Sequence, residues 1–93
     1  MSGLNIIQLA QAVLAFAKAA DDVTVCKSEL KDAYYAWRSA TGTREYIRRG
    51  SVEWNAMMVA TAGEYQQLLN AKARERRAKR KLLVLAATVE GVL

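Results

Sequence analysis

"TGTREYIRRGS", residues 41–51, interrupts two long rows of regularly spaced apolar residues, and how it is read decides the fold. Upstream, Leu9, Ala12, Phe16, Ala19, Val23, Cys26, Leu30, Ala33, Trp37 and Ala40 follow one another at alternating steps of three and four, the spacing of one helix face. Downstream, the same spacing returns through Trp54, Met57, Thr61, Tyr65, Leu68, Ala71, Glu75, Ala78, Leu82, Leu85 and Val89. Between the rows, Gly42 is placed to end the first helix in a left-handed cap, and Gly50 with Ser51 to break the chain and cap the next. The intervening "REYIRR" is expected to form a short helical turn.

This reading predicts an all-α chain with long helices at about 4–40 and 52–90, each roughly 55 to 60 Å long at 1.5 Å per residue. Rods of equal length joined at 41–51 fold back as an antiparallel two-helix hairpin, a single domain over 1–93. The pairing expected across it sets Trp37 near Met57, Cys26 near Leu68, Phe16 near Ala78 and Ala12 near Leu82. Asp21 or Asp22 as an N-cap would split the first helix in two, and that alternative stays open because aspartate caps well.

The composition agrees with helix. Apolar residues make up 53% of the 93-residue chain but aromatics only 8%, so much of the apolar content is alanine, and there is no proline. A single cysteine, Cys26, leaves no internal disulfide and fits a reducing compartment, so a cytoplasmic location is expected. Residues 4–20 have the apolar character of a signal peptide or span, but no positive charge precedes them and Gln8 and Gln11 interrupt the run.

A chain of this size gains little from one core, and a two-helix hairpin leaves each helix with one partner. The apolar excess is concentrated away from the turn, at Leu4, Ile6, Ile7, Leu9, Val13, Leu14 and Phe16 on the first helix and Leu82, Leu83, Val84, Leu85, Val89, Val92 and Leu93 on the second. Such a patch marks an interface. A homodimer through Ile6, Ile7, Val13, Leu14, Leu83 and Val84, completing a four-helix arrangement, is the expected assembly.

Catalytic chemistry finds little to use. With no histidine, the nucleophile pairs and metal sites built on it are excluded. The carboxylates Asp21, Asp22, Glu29 and Asp32 sit among lysines and read as solvated helix surface. No phosphate-binding glycine loop or metal-spaced cluster occurs, so the expectation is a protein that is not an enzyme and carries no cofactor or metal.

Charge points to binding instead. The net charge of +5 is concentrated in one band, where Lys72, Arg74, Arg76, Arg77, Lys79, Arg80 and Lys81 fill seven of ten positions. Ala71, Glu75 and Ala78 take the inward stripe there, which spreads the cations around the outer faces as a solvated band that Asp21 and Asp22 of the facing helix partly answer. Their number attracts phosphate, but no aromatic residue accompanies them for base stacking, which leaves nucleic acid as the alternative partner. Membrane binding is disfavoured because the apolar run after the band has a competing use in dimerisation. A second basic group, Arg44, Arg48 and Arg49 around Tyr46, lies at the turn and has the character of a protein-binding tip. Tyr34 and Tyr35 are consecutive and point about 100° apart on a helix, so at least one is expected to face outward and join that tip.

The segment "REYIRRGSVEWNAMMVATAGEYQQLLNAKARERRAKRKL", residues 44–82, resembles the small helical accessory proteins of temperate bacteriophages, a group that includes anti-quorum-sensing and pilus-inhibiting proteins. The resemblance rests on size, an alanine-rich helical hairpin and a basic second helix, and it covers under half the chain. It implies a non-enzymatic, phage-encoded protein that docks on a host protein and inhibits or modulates it; the acidic surface expected on that target follows from the basic groups and not from the resemblance. No functional residue carries over from it.

Overall fold

The computed structural model describes the backbone of residues 2–92 and the side chains of residues 5–91. The chain is all-helical: α1 runs Ser2–Thr41, α2 Val52–Ala60 and α3 Ala62–Val92. α1 passes through Asp21 and Asp22 as one helix of 40 residues, so neither aspartate acts as an N-cap.

α1 ends where Gly42 takes φ +70°. The Gly42 amide donates to the Ser39 carbonyl at 3.3 Å and the Thr43 amide to the Arg38 carbonyl at 3.0 Å. These two reversed bonds occupy carbonyls that the end of a helix would otherwise leave without partners. The chain then runs without helix from 42 to 51, so the short helical turn expected in "REYIRR" does not form. Its place is taken by an irregular connection, which the Arg38 side chain ties back to α1 by donating through Nη2 to the Glu45 carbonyl at 2.8 Å. A tight turn closes the segment, with Gly50 at φ +84° and the Ser51 amide donating to the Arg48 carbonyl at 3.0 Å. Ser51 then caps α2, its Oγ accepting from the Trp54 amide at 3.1 Å.

The second long helix expected over 52–90 is divided at Thr61. Thr61 has φ −110° and ψ 19°, outside helical values. The hydrogen-bond ladder nevertheless continues through it, from the Thr61 amide to the Met57 carbonyl at 3.0 Å and from the Tyr65 amide to the Thr61 carbonyl at 3.1 Å. The Thr61 hydroxyl adds to that ladder. It is buried on the inward face, where it needs a partner, and it donates to the Met57 carbonyl at 2.8 Å. Such a bond often bends a helix, although Thr24 and Thr88 make it inside unbroken stretches of α1 and α3.

Packing follows the seam. Ala12, Ala19, Val23 and Leu30 of α1 are buried, as are Met57, Thr61, Leu68 and Ala71 from the other side. Val23, Leu30, Leu68 and Ala71 form the central cluster, against which Cys26 and Tyr34 pack. Position numbers rise along α1 as they fall along α3: Tyr34 reaches Met58 near the connection, and Ala12 shares a groove with Ala78 and Leu85 toward the other end. Two seam positions depart from expectation. Ala40 is exposed at the last turn of α1, and Tyr65 is 39% exposed just past Thr61.

Candidate docking site at the connection

The connection 42–51 gathers most of the tip residues singled out in the sequence. Arg44, Tyr46, Arg48 and Arg49 are all exposed, Tyr46 at 89%. Glycine-mediated turns at both ends hold these side chains out from the rod. Tyr34 and Tyr35 diverge as consecutive helix residues must. Tyr34 is half-buried, its hydroxyl 3.6 Å from the Met58 sulfur, whereas Tyr35 is 72% exposed.

Each tyrosine lines a different concavity. Tyr35, Arg38, Ser39, Gly42, Thr43 and Arg44 surround an open polar hollow of about 390 Å³ that contains hydroxyl and guanidinium donors and no acidic side chain. Tyr34, Arg49, Trp54, Met57, Met58 and Tyr65 line an open pocket of about 560 Å³ whose walls come from α1, the connection, α2 and α3. The guanidinium of Arg49 lies 6.0 Å from the Trp54 ring centre, at the outer reach of a cation–π contact. Burial raises the Tyr34 phenol above its ordinary value of 10.0, Tyr65 adds to the rise, and a hydrogen bond with Thr61 works against it.

Of Trp54 and Met57, both on the inward spacing, Met57 is buried and Trp54 half-buried, and Met58 beside them is half-buried too. Arg38 was not singled out in the sequence, although it braces the connection and borders the polar hollow. The spacing of Trp54, Met57 and Tyr65 carried the signal that they share a face; the pocket is walled by residues on both sides of the break at Thr61.

In the basic band, Arg74, Arg76, Arg77, Lys79, Arg80 and Lys81 are exposed and Lys72 is half-buried, while Ala71 is buried and Glu75 and Ala78 are half-buried. The cations are therefore spread around α3 instead of forming one track. At the end away from the connection, Ile6, Ile7, Val13, Leu14, Leu83 and Val84 are all exposed. The side chains of Leu4, Val92 and Leu93, expected in the same patch, lie outside the described residues. A groove of about 520 Å³ runs beside it, where Ala12, Ala15 and Ala78 leave the space between α1 and α3 unfilled.

Among the described residues, no group of three or more histidine, cysteine, aspartate or glutamate side chains is placed to hold a metal ion. No helix there is long and apolar enough to cross a membrane. Comparison with protein-family models, curated proteins and solved structures gives no significant match.

Proposed function

We propose that this chain is a non-enzymatic docking protein, phage-encoded and acting in the host cytoplasm, that binds a host protein and inhibits or modulates it. Its working form is a helical hairpin of α1 against α2 and α3, paired with a second copy into a four-helix arrangement. One observation carries the docking role: the connection holds Tyr46, 89% exposed, among the exposed arginines Arg44, Arg48 and Arg49, at the end of a rigid rod. Arginine and tyrosine together are the residues that supply binding energy at protein interfaces, and guanidinium groups pair with carboxylates through two parallel bonds. An acidic protein surface suits such a tip.

A pull-down from host lysate tests this role. A specific protein is retained by the wild-type chain and lost when Tyr46 and Arg48 are changed to alanine; retention that ignores both changes moves the site elsewhere.

The six exposed cations between Arg74 and Lys81 favour a second reading, binding to nucleic acid. On duplex DNA, neutralising Z phosphates weakens affinity with a log-log salt slope of about −0.9Z. Absence of binding at low salt removes that reading.

A further inference from the structure

We infer that the pocket walled by Tyr34, Trp54, Met57, Met58 and Tyr65 receives one apolar or aromatic side chain of an acidic partner segment, with Arg49 pairing a carboxylate next to that anchor. This rests on the docking role proposed for the tip and names the chemistry that the tip recognises. At about 560 Å³ the pocket lies within the range of roughly 300–1,000 Å³ that preformed binding pockets occupy, which is ample for one large side chain. Its walls suit an apolar occupant: rings offer flat, polarisable faces, and the unbranched methionine side chains adjust to the shape they meet.

Charge decides what flanks the anchor. The tip holds Arg38, Arg44, Arg48 and Arg49 against Glu45 and Glu53, and no acidic side chain lines the pocket. Arg49 is exposed and only loosely held over Trp54 at 6.0 Å, so it turns to a carboxylate at little cost. The same guanidinium repels a lysine or arginine anchor. A free small molecule would fill the pocket and leave the neighbouring Arg44, Tyr46 and Arg48 unused, whereas a polypeptide segment engages the pocket and that surface together.

The full chain is immobilised and used to select from a displayed library of random peptides, and a selected peptide is then labelled with fluorescein for anisotropy titration. The expected peptides share a single leucine, methionine, phenylalanine or tryptophan flanked by aspartate or glutamate. Met58→Lys, which puts a cation into the pocket, weakens the labelled peptide at least about tenfold, the loss typical of a central anchor. Arg49→Glu reverses the flanks, so that selection on this variant enriches lysine and arginine beside the same anchor. Circular dichroism of each variant establishes that its helices are intact; a variant that unfolds is replaced by Tyr65→Lys, which charges the exposed wall of the same pocket.

Peptides without acidic flanks, or no enrichment at all, overturn the inference. A peptide that is lost on Tyr46→Ala or Arg48→Ala yet ignores Met58→Lys and Arg49→Glu overturns the pocket and leaves the docking tip standing. Indifference to all of these changes overturns both.

Discussion

Gly42 shows how one residue fixes the end of a 40-residue helix. Its φ of +70° lies in the region that a Cβ disfavours, although no neighbouring atom stands within 4 Å of where that Cβ would be. The cost of Gly42→Ala is therefore backbone strain alone, about 1–2 kcal/mol of folding stability, to be read as an earlier urea midpoint at unchanged slope. Tyr34 gives a second expectation at this scale. Its phenol is held neutral to higher pH in the folded chain, chiefly by burial, than in the unfolded one. The unfolded state loses the proton first, so this contribution is intact below the ordinary value of 10.0 and is lost as pH rises through the higher folded value. Urea titrations across that window should show wild-type stability falling more steeply than that of Tyr34→Phe; parallel curves would mean that Tyr34 is not coupled to folding.

Among the elements, α1 was the most legible from sequence, because its inward positions keep one spacing from Leu9 to Trp37 and Asp21 and Asp22 fall off that stripe. The caps at Gly42 and Ser51 could be read as well, since each rests on chemistry local to one or two residues. The break at Thr61 could not. Threonine at an inward position fits a helix by spacing, and Thr24 and Thr88 bond back in the same way inside unbroken helices. The pocket beside Tyr34 was hidden too, because its walls come from α1, the connection, α2 and α3 together. The irregular course of 43–49 was also misread, because arginine and tyrosine are compatible with helix and the Arg38–Glu45 bond that holds the loop is tertiary. Gly63, just past the bend, has no positive φ and has open space where a Cβ would stand. Gly63→Ala should thus stabilise the chain by about 0.5–1 kcal/mol through the entropy of the unfolded state, seen as a higher melting temperature. A lower one would show that the bend needs glycine's freedom.

The whole molecule is a rod of 61 × 19 × 18 Å with a radius of gyration of 19.4 Å, against about 12 Å for a compact domain of this length. Its accessible surface is 6959 Å², where a compact monomer of 10.3 kDa would show about 5,400 Å². The excess of roughly 1,600 Å² exceeds the approximately 800 Å² per partner that a standard interface covers. Part of that surface is apolar and lies at the end away from the connection, where Leu14 is 70% exposed and the alanines beside it leave a groove. Pairing with a second copy would cover this patch, because Ile6, Ile7, Val13 and Leu14 of one chain can lie across Leu83 and Val84 of the other and return the contact by two-fold symmetry. Sedimentation of the wild-type chain should therefore give twice the mass of one chain, with a melting temperature that rises with concentration. Leu14→Glu with Leu83→Glu should give a single chain of lower melting temperature, since both positions are exposed in the isolated chain and the loss falls on the pairing. A wild-type chain that sediments singly at all concentrations while fully folded would sink the pairing and leave the tip, at the opposite end of the rod, unaffected.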